Sequence, residues 1–401
     1  MPCPRLRGKL RLATFAAAIL LPLGACDSVL LPGTATGDPA RAAEVAFGAA
    51  RVRWYTPDRV GGWTMRPELT GTHVYFERDL ELGRNDQVVN RAQLVALDRE
   101  TGAVSWAQTM GTAENAAVAG NVVGAVWGSL AMFERTTGAP LSVFRYGATS
   151  LSGNVVTDGA RFYVTSHNGH VLAVDPATGA AEWDVHLAGS AAGFGTALHG
   201  DLLAVTMKHF GSAPVWGDSG IVAVLDRNSG AVRWRAAVGE GRDPGITNPP
   251  VVAGDLLVTR GGNDVRAWEL RSGAPRWRYD ASGTSGANYG GSGLAVCEGL
   301  VMAPTGDLEI VALDAATGKV RWKVRADELG SLSSLECSHG TVLALGSGFA
   351  VYDARSGARR ARFPIREPYD GEREYMIAAV TRDAEFIYVS TTYGWAKITA
   401  P

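Results

Sequence analysis

An excess of charge of either sign is missing from this chain of 401 residues: 38 Lys and Arg stand against 40 Asp and Glu, a net charge of −2. Without a basic stripe, the electrostatic footprint of a nucleic-acid binder is excluded. Cysteine is scarce, four residues in all, and histidine numbers seven. No Ser-His-Asp arrangement stands out. The glycine-rich stretch Asn288–Gly293, "NYGGSG", is followed by no helical pattern, which argues against a phosphate loop. His167 and His170 flank Asn168-Gly169, so two imidazoles can face each other across a hairpin as part of a metal site. No third ligand is visible, and the pair reads as a solvated hairpin tip. Long apolar runs are few. Asn115–Phe133 carries no charge over 19 residues, but Gly120, Asn121, Gly124 and Gly128 cut it into pieces of strand length. It is therefore not expected to span a membrane.

The N-terminus supplies the other apolar run. Arg5, Arg7, Lys9 and Arg11 precede "ATFAAAILLPL" (Ala13–Leu23), the basic and apolar regions of an export signal. The run ends in Leu23-Gly24-Ala25-Cys26, which resembles a bacterial lipobox. The reading is a signal peptide over 1–25, lipidation at Cys26 and anchorage to a membrane without spanning it. Asp27 follows the cysteine, and the choice between inner and outer membrane stays open. Loss of the signal leaves a mildly acidic chain of charge about −6. Residues 26–49, rich in Gly, Pro, Ala and Thr, read as a flexible tether.

From residue 50 onward a ten-residue phrase recurs. "LDRETGAVSW" (Leu97–Trp106), "VDPATGAAEW" (Val174–Trp183), "LDRNSGAVRW" (Leu225–Trp234), "WELRSGAPRW" (Trp268–Trp277) and "LDAATGKVRW" (Leu313–Trp322) are clean copies. "FERTTGAPLS" (Phe133–Ser142) and "YDARSGARRA" (Tyr352–Ala361) are worn ones. The acidic anchors, Asp98, Glu134, Asp175, Asp226, Glu269, Asp314 and Asp353, lie 36 to 51 residues apart. A period of that size signals a repeat architecture. Each period holds four short β-rich runs separated by turns, the content of a propeller blade. The anchor carboxylate can accept backbone N–H bonds in a tight turn. The glycine four residues on (Gly102, Gly179, Gly230, Gly318 in the clean Asp copies) takes the left-handed conformation of a type I turn with a bulge. Four residues later the tryptophan has a fixed face and wedges against a neighbouring blade. Trp106, Trp183, Trp234, Trp277 and Trp322 hold this place, and Trp54 in "ARVRWYTP" matches the same outer strand. These residues are read as structural.

The last repeat, Phe386–Thr399, has inner strands and no outer one, while the Trp54 strand has no blade of its own. Pairing the two closes the ring. The expected fold is therefore all-β over residues 50–401: an eight-bladed propeller of four-stranded antiparallel blades, with the chain's two ends sharing the last blade.

The phrase (Ala or Val)-x-Asp-x-x-Thr-Gly-x-x-x-Trp resembles the repeat of the pyrroloquinoline-quinone (PQQ) propeller family, in which the tryptophan docks between blades. That resemblance covers nearly all of the chain after the tether and implies one of two functions. Quinoprotein dehydrogenases hold PQQ and calcium beneath a disulfide of two adjacent cysteines. This chain has no Cys-Cys pair and no haem Cys-x-x-Cys-His, so no catalytic, cofactor or metal residue is assigned. The other class is non-enzymatic and typified by BamB of the β-barrel assembly machinery. The chain departs from the BamB partner-binding pattern at "LAGSAAGFG" (Leu187–Gly195) and "GITNPPVV" (Gly245–Val252). The resemblance implies a monomeric, periplasm-facing scaffold that binds envelope proteins. Alternatives are a divergent quinoprotein and a sensor of carbohydrate or peptide.

Cys297 and Cys337 lie near the ends of innermost strands in consecutive blades. In an oxidising compartment they can clip two blades together; the reading as two separate thiols stays open. Insertions gather on one face of the ring. There Phe210, Trp216, Arg242, Tyr289, Tyr369 and Tyr375 sit on polar loops, a mixture suited to a protein interface.

Overall fold

The computed structural model describes residues 51–57, 66–79, 92–110, 115–187, 191–209, 220–238, 248–261, 264–280, 293–305, 308–330, 332, 334–346, 348–363, 379–391 and 394–401. They form eight four-stranded antiparallel sheets arranged as an eight-bladed propeller. Blades 1 to 7 follow the chain: residues 68–110, 115–144, 151–186, 191–238, 251–280, 295–325 and 334–363. Blade 8 takes three strands, Ala379–Arg382, Phe386–Thr391 and Gly394–Thr399, from the C-terminal end and its outer strand, Val52–Pro57, from the other end of the ring. Asn115–Phe133 falls within three strands of blade 2. Among the described residues no helix is long and apolar enough to cross a membrane.

Each repeated phrase is the hairpin between a blade's third and fourth strands. The Gly102 N–H donates to the Asp98 carbonyl at 2.9 Å, and the same bond recurs at Gly138, Gly179, Gly230, Gly273, Gly318 and Gly357. The Asp98 carboxylate accepts from the N–H of Glu100 and Thr101 and from the Thr101 hydroxyl. These bonds to the charged form hold its carboxyl below the usual range. A register shift at Ala96/Leu97 is the bulge that the turn requires.

The tryptophans do more than fill space. Each of the six indole N–H groups donates to a backbone carbonyl in the turn of the next blade, one residue after the acidic anchor. Trp54 reaches Arg99, Trp106 reaches Arg135, Trp183 reaches Arg227, Trp234 reaches Leu270, Trp277 reaches Ala315 and Trp322 reaches Ala354, all at 2.8–3.0 Å. The ring lies flat over that turn's glycine. At Gly273, φ is +74° and a Cβ would stand 2.5 Å from the Trp234 ring, so both the conformation and the close approach demand glycine. In blade 2, Ser142 replaces the tryptophan, and Ser142 with Met132 covers Gly179 instead.

Apolar side chains fill the spaces between neighbouring blades. Eight buried clusters occupy the eight interfaces, that between blades 8 and 1 included. Polar clamps join the inner strands as well. Asn154 of blade 3 exchanges two hydrogen bonds with the Thr196 backbone of blade 4, at 2.7 and 3.1 Å. Asn115 of blade 2 accepts from the Val155 N–H at 2.8 Å. Cys297 and Cys337 are joined as a disulfide between the first strands of blades 6 and 7, with Cα atoms 5.7 Å apart.

The seam is the one blade with no covalent turn between its third and fourth strands. Val52 pairs with Ile398, Trp54 with Lys397 and Pro57 with Gly394. Lys397, 2% exposed, donates from Nζ to the Arg99 carbonyl and to Glu100, each at 3.1 Å. The Arg99 guanidinium donates to Tyr388 Oη at 2.8 Å, to Asp383 and to the Thr70 carbonyl. The three C-terminal strands of blade 8 are thus bolted to the turn of blade 1 by charge-assisted bonds.

Candidate partner-binding rim

Phe210, Trp216, Arg242, Tyr289, Tyr369 and Tyr375, the loop residues expected to meet a partner, lie outside the described residues, as does Cys26. Within the described residues the outer rim varies in charge from blade to blade. Every propeller blade ends in an edge strand with unpaired backbone groups, which templates pairing with another chain unless it is guarded.

The residues on either side of the repeat tryptophan provide that guard. They are Arg233 and Arg235 in blade 4, Arg276 and Arg278 in blade 5, Arg321 and Lys323 in blade 6, and, flanking Ala361 at the equivalent place, Arg360 and Arg362 in blade 7. Blade 8 has Arg53. Several are locked to acids of their own blade: Arg233 to Asp226 at 2.6 Å, Arg321 to Asp314 at 3.0 Å, Arg278 to the buried Asp264 at 2.5 Å and Lys323 to Glu309 at 3.2 Å. Blade 3 carries Glu182 and Asp184 there. Blades 1 and 2 break the pattern. The outer strand of blade 1, Val104–Met110, has no charged side chain. In blade 2, Pro140–Phe144, the guard positions hold Leu141 and Val143, 51% and 46% exposed. Alternation places both on one face of the strand. The lost tryptophan and the lost guard coincide in this strand.

Tyr146, just beyond that strand, reaches into blade 3. Its hydroxyl donates to Asp184 at 2.6 Å and lies 2.8 Å from His170 Nδ1, which itself lies 2.6 Å from Asp184. Burial, then Asp184, pushes the Tyr146 phenol up to about 12. His167 is exposed in the turn, as read for a solvated hairpin tip, while His170 pairs across the ladder with His186, ring centroids 4.6 Å apart. Sequence reasoning passed over His186 because it belongs to the following strand. The two-residue spacing of Asp184 and His186 was the available signal. Among the described residues no group of three His, Cys, Asp or Glu side chains is set to hold a metal ion.

A second charged cluster lies on the innermost strands near the seam. Arg66, just before the first strand of blade 1, donates to Glu336 of blade 7 at 2.7 Å. Burial raises the carboxyl of Glu336, and burial lowers Arg382 of blade 8. Glu68 of blade 1 is pushed by burial from 4.5 up to about 7, with Arg66 pulling the other way. A carboxyl with a raised folded pKa contributes stability that is complete below its unfolded value and is lost as pH rises through the folded one. Replacing Glu68 with Gln therefore changes stability little at pH 4. By pH 8 it raises stability relative to the parent by up to about 3 kcal/mol. Urea unfolding at the two pH values checks this; an equal effect at both would refute it.

The chain matches the family profile PQQ_2, described as outer membrane protein assembly factor BamB, over residues 127–209 and 218–398. It is 25% identical over 218 residues to BamB of Moranella endobia, covering 52% of each chain. It is also 30% identical over 192 residues to the serine/threonine-protein kinase AfsK of Streptomyces griseus, 47% of this chain and 22% of the kinase. It thus spans about half or less of the curated relatives that it matches. Among solved structures, BamB from Moraxella catarrhalis superposes with a TM-score of 0.58 at 14% identity, over 86% of this chain and 97% of that one. The quinohemoprotein alcohol dehydrogenase ADHIIG of Pseudomonas putida HK5 superposes with a TM-score of 0.66 at 12% identity, over 87% and 76%. Both structural likenesses concern the fold alone. With the profile covering more than half of the sequence, and with the repeat turns, docked indoles and shared last blade in place, the chain belongs to the PQQ_2 family of the outer membrane protein assembly factor BamB.

Proposed function

We propose that this protein is a non-enzymatic, lipid-anchored scaffold of the cell envelope that acts in outer-membrane β-barrel assembly. It holds an extended segment of a client at the outer edge of blade 2. The observation that carries this reading is the unguarded strand Pro140–Phe144, with Leu141 and Val143 exposed where blades 4 to 7 carry paired cations. A barrel protein before insertion is a series of segments of alternating hydrophobicity. Such a segment can add to the edge as a further strand, its backbone groups meeting those of the ladder and its apolar side chains meeting Leu141 and Val143. The polar loops in which the sequence sets Phe210, Trp216, Tyr289, Tyr369 and Tyr375 are assigned to stable partners in the envelope. The quinoprotein alternative finds no adjacent cysteine pair, since Cys297 and Cys337 stand 40 residues apart.

Replacing Leu141 and Val143 together with Arg leaves the fold intact, because both side chains are exposed, and weakens binding of an unfolded barrel protein by about tenfold or more. Fluorescence anisotropy with a labelled barrel precursor, diluted from urea, measures it. Equal binding by parent and variant removes the edge from the reading. Robust dye reduction after reconstitution with PQQ and calcium overturns the non-enzymatic reading itself.

A further inference from the structure

We propose that His170 and His186, on the outer hairpin of blade 3, bind one late first-row transition-metal ion such as Zn2+, Ni2+ or Cu2+. The two residues oppose each other on neighbouring antiparallel strands, His170 in His170–Val174 and His186 in Ala181–His186. Directly opposed side chains share one face of the sheet. Their ring centroids are 4.6 Å apart. Two imidazoles bound to one ion at metal–nitrogen distances of about 2.0–2.1 Å, in adjacent positions of a tetrahedron or octahedron, place their ring centres about 4.5–5 Å apart. The pair thus stands at the separation of a cis chelate before any metal arrives.

Tautomer supplies the second argument. Asp184 Oδ1 lies 2.6 Å from His170 Nδ1, and a carboxylate only accepts, so Nδ1 carries the proton. Tyr146 donates to the other oxygen of the same carboxylate at 2.6 Å. The lone pair of His170 is therefore on Nε2. A carboxylate behind one imidazole nitrogen, leaving the other as ligand, is the arrangement that orients metal-binding histidines and raises their basicity. Asp184 and Tyr146 are positioning residues here, and water completes the coordination. The side chain of His170 is 21% exposed and His186 is exposed, so an ion reaches them from solvent. Two nitrogen donors favour late transition metals over Mg2+ or Ca2+.

The site is tested on the full chain, stripped with a chelator and titrated calorimetrically with ZnCl2 or NiCl2 at pH 7.5. One ion per chain is expected, with no heat from MgCl2 or CaCl2. His170→Ala and His186→Ala each weaken binding by tenfold or more, His167→Ala leaves it unchanged, and Asp184→Asn weakens it by about tenfold. Thermal melts of the metal-free variants verify folding, since all four side chains sit at the surface. Electron paramagnetic resonance of the Cu2+ form is expected to report two nitrogen ligands in the parent and one in each His variant. Absence of Zn2+ and Ni2+ binding, or binding that survives the His170→Ala/His186→Ala double variant, overturns the proposal. None of these outcomes depends on the edge of blade 2.

Discussion

Replacing Trp54 with alanine is expected to cost about 3–5 kcal/mol, the range for emptying the site of a buried aromatic ring. Trp54 is 7% exposed. Its ring, together with the Thr56 hydroxyl, covers Gly102; it packs 6.3 Å from Tyr388 and gives its N–H to the Arg99 carbonyl. Three losses coincide in the variant: the buried ring, the hydrogen bond and the cover over a turn whose glycine leaves no room for a Cβ beneath the ring. Five other indoles make the same bond to the next blade, but their strands remain tethered by a hairpin when the ring is removed. The Trp54 strand has no hairpin to tether it in blade 8 and relies on its pairing with Gly394–Thr399 and on side-chain packing. Trp54→Ala should therefore also raise protease cleavage near residues 52–57, which Trp277→Ala should not. Denaturant unfolding with limited proteolysis reads both effects. A cost under about 1 kcal/mol, or equal cleavage in the two variants, would show that the ring closes by other means.

Breaking the Cys297–Cys337 bond is expected to cost about 3–4 kcal/mol, the loop-closure term for a ring of this size. The cysteines are 40 residues apart in sequence, so the reduced unfolded chain regains the freedom of a long loop. The bond joins the first strands of blades 6 and 7, next to the buried cluster that includes Met302, Leu335 and Tyr352. Its native geometry is supported on both sides by two-residue hairpins. Glu298 and His339, each just before a glycine, take positive φ values of 54° and 48°, as tight hairpins of this kind require. The double variant Cys297→Ser/Cys337→Ser should unfold at lower denaturant than the oxidised parent and match the parent in reductant. If reductant shifts the variant as far as the parent, the difference arises elsewhere.

The repeat was legible because its determinants are local. An acid, a hydroxyl residue and a glycine within five positions specify a hairpin wherever they occur, and the even step to tryptophan specifies a face. Seven such hairpins and the orphan strand at Trp54 are enough to count eight blades and to pair the chain's ends. Metal chemistry was less legible. His167 and His170 are close in sequence, yet the partner of His170 is His186, which the ladder brings opposite it. Glu68 reads as an ordinary strand residue, and only burial on an innermost strand makes its carboxyl titrate near neutrality.

By itself, then, the sequence determined the blade, the number of blades and the place where the ring closes, since each follows from contacts within about ten residues or from the matching of two ends. Tertiary structure alone decided what each indole bonds to, how Arg99 reaches Asp383 across 284 positions, and that Leu141 and Val143 stay exposed on the edge strand of blade 2. The physical reason is that a hairpin is specified by its own backbone, whereas a hydrogen bond between blades, a desolvated carboxyl or an exposed edge depends on what the neighbouring blade places against it.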